Sequence, residues 1–150
     1  MAKKLLILGP SFRRNRSSGV LAAIQRYDGL FYRVVRKYLK DFKDEDVLVM
    51  VDDLTLIESA APLPYCEAEG EDWSKQTFSK EVLTKAGAKN FNFLDEKLRD
   101  SEYSEVFISM GKKYAAALPD LTRYNVKTIF PSTGGLGPKA KALKEWLCGS

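Results

Sequence analysis

The chain has 150 residues, of which 45% are apolar and 29% are charged. This length and composition are typical of one globular domain, and they exclude a disordered, collagen-like or coiled-coil protein. The sequence contains no histidine, which excludes histidine-based catalysis, histidine-ligated zinc and a histidine pH switch.

The net charge of +4 conceals three blocks of different charge. Residues 1–43 hold 11 Lys and Arg against 2 Asp and Glu, residues 44–73 hold 10 acids and no base, and residues 74–150 hold 13 bases against 8 acids. The block charges of +9, −10 and +5 predict a basic surface suited to phosphates beside an acidic one. The alternative interpretation is that solvated charged faces merely cluster along the chain.

Four short apolar runs predict buried strands, at residues 5–8, 47–51, 106–110 and 126–130. Each run is nearly continuous, as in parallel strands that helices cover on both faces. Helical patterns occupy residues 30–42, 79–85, 91–99, 113–118 and 139–147, and Gly87 separates the second from the third. Alternating strands and helices predict one α/β domain over residues 1–150. We expect a three-layer sandwich with a mainly parallel four-stranded sheet, flavodoxin-like or Rossmann-like.

The first predicted strand leads into a loop rich in arginines and small polar residues. Its candidate anion-binding side chains are Ser11, Arg13, Arg14 and Arg16. Ligands of parallel sheets bind at the carboxyl ends of the strands, and arginine forks match phosphate oxygens. The loop therefore predicts contacts to a phosphate or a nucleic-acid backbone, with a flexible solvated loop as the alternative.

The stretch after this loop carries Tyr27, Asp28, Gly29 and Arg33. Asp28 is predicted to cap the helix over residues 30–42, and Gly29 allows the chain to turn into it. We expect Tyr27 and Arg33 to lie near the arginine loop, where the tyrosine ring is suited to stacking on a base.

A long irregular stretch over residues 52–77 follows the second predicted strand. Asp52 and Asp53 begin it, and one of them is a candidate general base or magnesium ligand, with two solvated acids as the alternative. Tyr65 is a candidate base-contacting residue. Cys66 is a candidate nucleophile, but its acidic sequence neighbours do not favour a thiolate, so an inert thiol is the alternative.

A glycine-rich turn joins the last predicted strand to the last helix. It contains Ser132, Thr133, Gly134, Gly135 and Gly137. Glycines before a helix let backbone N–H groups approach an anion, which predicts a phosphate contact here, with a simple tight turn as the alternative.

The order of these elements and motifs resembles a known family. The matching positions are Ser11, Arg14, Tyr27, Gly29, Pro64, Tyr65, Gly111, Tyr114, Gly135 and Gly137. They are similar to a family of small α/β proteins from bacteria, phages and archaea that is distantly related to YaaA-like peroxide-stress proteins. Some members are encoded among systems that install 7-deazaguanine bases in DNA, and archaeosine synthase carries a similar domain. The chain departs from that family at Pro10, where a cysteine is common, and at residues 51–56, where Ser-Ala-Lys-Tyr-Gly-Leu is common. The resemblance therefore implies the fold more strongly than an activity.

These patterns predict a protein that binds a nucleotide, a modified base or a nucleic-acid strand at the carboxyl edge of its sheet. A protein-interaction or self-associating module that forms a homo-oligomer is one alternative. A small enzyme acting on a nucleoside or sugar phosphate is the other. We expect a cytoplasmic protein with no membrane partner, because the two cysteines fit no disulfide framework and no apolar run reaches the roughly 20 residues of a membrane span. Apart from the magnesium alternative at Asp52 or Asp53, no metal site is predicted, and the sequence identifies no cofactor.

Overall fold

A computed structural model describes residues 3–39, 45–65, 77–99, 103–131 and 134–148. The elements in chain order are β1 (Lys3–Leu8), β2 (Leu21–Ala22), α1 (Ala23–Arg26), α2 (Leu30–Tyr38), β3 (Glu45–Met50), β4 (Leu56–Glu58), β5 (Pro62–Leu63), α3 (Lys80–Arg99), β6 (Tyr103–Ser109), α4 (Lys112–Ala115), β7 (Lys127–Ile129) and α5 (Leu136–Cys148).

A mainly parallel sheet of five strands, in the order β4-β3-β1-β6-β7, forms the centre of the fold. The four strands predicted from apolar runs are β3, β1, β6 and β7, and each is parallel to the next in this order. The predicted strand count of four is wrong, because β4 adds an antiparallel edge strand to β3. This strand has only three residues and lies within the stretch that the sequence predicts to be irregular, so no long apolar run marks it.

Alternate residues of the central strands pack on opposite faces of the sheet. Leu6 of β1 lies between Val47 and Phe107 and packs in the same core as α1, α2 and α5. Ile7 lies between Leu48 and Ile108 and packs in the core covered by α3 and α4. Helices therefore cover both faces, as the continuous apolar runs predict.

The chain connections leave β1 and β6 toward opposite faces of the sheet. From β1 the chain passes through α1 and α2 to β3, whereas from β6 it passes through α4, on the other face, to β7. Neighbouring strands whose connections diverge leave a crevice between their carboxyl ends. The fold thus creates a crevice between the end of β1 and the end of β6.

The helices differ from the sequence-based prediction at several places. Helix α1 has no predicted counterpart, and α2 ends at Tyr38 instead of residue 42. Helix α5 begins at Leu136, so Gly137 of the predicted glycine-rich turn lies inside a helix. Residues 80–85 and 91–99, which the sequence predicts as parts of two helices, belong to a single helix, α3, that runs through Gly87. A glycine inside a helix costs about 1 kcal/mol relative to alanine. Burial of the helix face that carries Leu94 and Leu98 outweighs this cost, because both leucines pack in the core.

Within the described ranges, no helix is both long and apolar enough to cross a membrane.

Candidate binding site

A cavity of about 410 Å³ lies at the carboxyl ends of β1 and β6, and we call it the apolar crevice. Its walls come from the loop after β1, the start of α2, the end of β6 and the start of α5. The residues that line it include Gly9, Ser11, Phe12, Arg13, Tyr114 and Leu136. Phe12 is 60% exposed and Leu136 is 64% exposed, so large apolar side chains face solvent at its rim.

Two close backbone approaches shape the apolar crevice. A Cβ atom on Gly9 would lie 2.6 Å from the Cβ of Met110, so glycine is needed where the ends of β1 and β6 meet. A Cβ atom on Gly29 would lie 2.4 Å from Oγ of Ser11. The Tyr32 hydroxyl donates a hydrogen bond to the Gly9 carbonyl at 2.6 Å and so ties α2 to the end of β1.

Arg26 holds the arginine loop in place. Its side chain is 1% exposed, and its guanidinium donates to the carbonyls of Asn15, Ser17 and Gly19 in the loop at 2.8, 2.9 and 2.6 Å. It also donates to the Leu63 carbonyl of β5 at 2.8 Å. A buried guanidinium is stable only when its donors find acceptors, and here four backbone carbonyls supply them.

Arg14 and Asp52 form an ion pair between the loop after β1 and the end of β3. Arg14 Nη2 lies 2.6 Å from Asp52 Oδ1, and the Arg14 side chain is only 5% exposed. The guanidinium also lies 5.1 Å from the centre of the Tyr27 ring. Burial, followed by the negative charge of Asp52, raises the pKa of Tyr27. This ion pair joins the loop after β1 to the end of β3 at the carboxyl edge of the sheet.

A second cavity, of about 220 Å³, lies beside this pair. Arg14, Tyr27, Asp52 and Asp53 line it together with Arg26, Leu63 and Pro64. Asp53 Oδ1 accepts a hydrogen bond from the Thr55 N–H at 3.1 Å. One aspartate is thus paired with an arginine and the other closes the β3–β4 turn. Among the described residues, no group of three metal-ligating side chains could hold a metal ion.

Tyr27 belongs to the core and does not offer a free face for stacking. Its side chain is buried, with Arg14 against its ring and the Tyr32 ring 5.3 Å from it. A base could stack on Tyr27 only by displacing one of these neighbours. The low exposure follows from the position of Tyr27 directly after α1, on the side that packs against the sheet.

The Asp28 carboxylate forms ion pairs with three arginines. It lies 3.0 Å from Arg33 Nη2 and 4.0 Å from Arg13 Nε, and it pairs with Arg36 as well. Hydrogen bonds from Arg33, assisted by Arg36, lower the pKa of Asp28. The prediction that Asp28 caps α2 is wrong, because Gly29 is the N-cap residue and no side chain caps this helix. The arginines compete successfully for the carboxylate because charged donors bind it more strongly than a backbone N–H does.

The β3–β4 turn is held by a buried amide. Leu54 has a positive φ of 70°, which is costly for a branched side chain. The Asn90 side chain of α3 donates to the carbonyls of Leu54 and Ala117 at 2.8 and 3.0 Å and accepts from the Leu56 N–H at 3.1 Å. Asn90 therefore fixes the turn that carries Asp52 and Asp53.

Among the described residues of the glycine-rich turn, Leu136 alone lines the apolar crevice. Gly134 adopts a positive φ of 83°, and hypothetical Cβ atoms on Gly135 and Gly137 would meet nothing within 4 Å. None of these three glycines lines the apolar crevice, and Ser132 and Thr133 lie outside the described residues.

The predicted site residues thus fall into separate groups. Ser11 and Arg13 line the apolar crevice, whereas Arg14, Tyr27, Asp52 and Asp53 line the second cavity. Arg16, Arg33 and Tyr65 line neither cavity, although the Tyr65 ring lies 5.8 Å from the Arg26 guanidinium. Cys66 lies outside the described residues.

Sequence reasoning missed two residues that organise the site, Arg26 and Asn90. Each is a polar residue on the buried stripe of its helix: Asn90 lies four and eight residues before Leu94 and Leu98, and Arg26 lies three residues after Ala23. A polar side chain on such a stripe indicates a buried hydrogen-bonding role.

No family model, curated protein or solved structure matches this chain.

Proposed function

We propose that the chain binds a nucleotide, with the base in the apolar crevice and the phosphate beside Arg13. The observation that carries the proposal is the position of the apolar crevice. The parallel strands follow the order β3-β1-β6-β7, which corresponds to the start of the flavodoxin-like order, and β1 and β6 flank its switch point. Flavodoxin-like sheets bind flat cofactors at this point.

The walls of the apolar crevice suit a flat, mostly apolar group. Its volume of about 410 Å³ lies in the range of small-molecule sites. Phe12 and Tyr114 supply aromatic surface, and the exposed Phe12 ring is suited to stacking on a base. The resemblance to families that handle 7-deazaguanine bases adds modified purines to the ligands worth testing.

The charges at the rim favour an anionic ligand. Arg13 is 69% exposed and lies 4.0 Å from Asp28. Asp28 also pairs with Arg33 and Arg36, so one carboxylate meets three guanidinium groups. The surplus positive charge supports a phosphate at this edge of the apolar crevice.

Calorimetric titration with purine and pyrimidine nucleotides and with the matching nucleosides tests the proposal. We expect nucleotides to bind more tightly than nucleosides, and Phe12→Ala to weaken both by about 1–3 kcal/mol, the usual value of one base–aromatic stack. Arg13→Gln should weaken only the nucleotides. Val82→Ala is the matched control, because Val82 is also exposed but lies on α3, across the sheet. Failure of every nucleotide and nucleoside to bind would refute the proposal.

The enzyme and self-association alternatives stay predictions with their own tests. If the chain is an enzyme, it should convert a nucleoside or sugar phosphate, and Asp52→Asn or Asp53→Asn should abolish this activity. A homo-oligomer held by the opposite charge blocks would dissociate as salt rises, which light scattering measures.

A further inference from the structure

Two lysines converge on one tyrosine at the junction of α2 and α5. Nζ of Lys37, on α2, lies 5.3 Å from the centre of the Tyr38 ring, and Nζ of Lys144, on α5, lies 5.1 Å from it. A hydrogen bond from Lys144, together with the charges of both lysines, lowers the pKa of Tyr38. Among the described residues, neither lysine lies within ion-pair distance of a carboxylate.

Because both ammonium groups lie against the same ring, their positive charges add at one place on the surface, and this favours binding of an anion there. The phenol hydroxyl supplies a further polar group at the same place. Phosphate oxygens accept hydrogen bonds from ammonium and hydroxyl groups alike, so one phosphate group is a fitting occupant.

The lysine pair continues a row of cations on α2, the helix whose first residues line the apolar crevice. Arg33, Arg36 and Lys37 are three and four residues apart and so share one face of α2. We call these three residues and Lys144 the cationic face. Asp28 is the one carboxylate that the described ion pairs place against it.

The helices carry this row away from the apolar crevice. Phe31 of α2 and Leu136 of α5 line the apolar crevice at the starts of their helices, and the two helices pack together. At 1.5 Å per residue, Lys37 lies about 9 Å further along α2 than Phe31, and Lys144 about 12 Å further along α5 than Leu136. A phosphate held at Arg13 is therefore distinct from one held by the lysine pair.

We propose that the cationic face binds the phosphate backbone of a nucleic-acid strand, so that the nucleotide in the apolar crevice is one unit of that strand. This inference deepens the proposed function and rests on it for the base. A nucleic acid fits better than an acidic protein because its phosphates are regularly spaced and its bases suit the aromatic walls at one end of the row.

Fluorescence anisotropy with a labelled single-stranded oligonucleotide of about ten nucleotides tests this inference. The variant Lys37→Gln/Lys144→Gln should weaken oligonucleotide binding about tenfold at about 50 mM salt. It should also make the slope of log affinity against log salt shallower by about 1.4, because each of the two lost phosphate contacts contributes about 0.7. Lys37→Arg/Lys144→Arg should retain binding. The control Lys80→Gln/Lys85→Gln removes the same charge from α3, across the sheet, and should change neither quantity.

The outcomes separate the two proposals. If the Lys37→Gln/Lys144→Gln variant binds the oligonucleotide with the affinity and salt slope of the parent chain, the cationic-face proposal is overturned, while mononucleotide binding still supports the proposed function. If the oligonucleotide binds through the lysines and no mononucleotide binds, the proposed function is refuted, while binding of a phosphate backbone by the cationic face is supported. Equal binding of polyglutamate and oligonucleotide would overturn the inference in favour of an acidic protein partner.

Discussion

Replacement of Arg26 by methionine should unfold the chain at much lower urea concentration. The guanidinium makes four hydrogen bonds to backbone carbonyls, three in residues 15–19 and one at Leu63. Methionine fills similar space but leaves all four acceptors without a donor. At about 1 kcal/mol for each lost bond, the expected loss of unfolding free energy is about 4 kcal/mol, similar to breaking a buried ion pair.

Urea unfolding followed by circular dichroism measures this loss. Arg26→Lys should recover little of it, because one ammonium cannot reach four carbonyls that surround a planar fork. Arg16→Met is the matched control: Arg16 is an exposed arginine of the same loop, and its replacement should cost less than about 0.5 kcal/mol. A loss below about 1 kcal/mol for Arg26→Met, or equal losses for both variants, would refute the view that Arg26 anchors this loop.

Four further changes test other parts of the structure. Gly29→Ala should destabilise the fold by about 1–3 kcal/mol, since its Cβ would overlap Ser11 Oγ. Gly137→Ala should stabilise the fold by about 0.5–1 kcal/mol, because Gly137 lies in α5 with open space around it. Urea titrations in which Gly29→Ala and Gly137→Ala change the unfolding free energy in the same direction would contradict the packing described for these two glycines. Asn90→Leu should cost about 2–4 kcal/mol by leaving three backbone groups of the fold without partners, and a melting temperature like that of the parent chain would speak against this. Burial raises the pKa of Tyr114 to about 12 from 10.0, so its contribution to stability is complete below pH 10.0 and disappears as the pH rises to about 12. Unfolding free energies measured at about pH 9 and about pH 11.5 should therefore differ less for Tyr114→Phe than for the parent chain.

The sheet-edge location of the site could be predicted because it depends on local signals. Apolar runs mark the ends of β1, β3 and β6, and the carboxyl ends of parallel strands share one edge. Arg14 and Asp52 follow two such runs and form an ion pair in the structure. The separation of the predicted residues into two cavities was not predictable, because it depends on where each loop returns after leaving its strand.

The sequence by itself determined an α/β domain with four parallel strands and helices on both faces, because apolar periodicity reports which side of each element is buried. It also determined the absence of histidine chemistry and the uneven charge. Only the tertiary structure decided which cations meet which acids, that Arg26 and Asn90 serve as buried anchors, and that the lysines of α2 and α5 share one tyrosine. Contacts such as Asn90 with Leu54 and Lys144 with Tyr38 join residues far apart in the chain. The shorter-range bond of Arg26 to Gly19 follows no helix or strand period, so a local pattern carries no information about such partners.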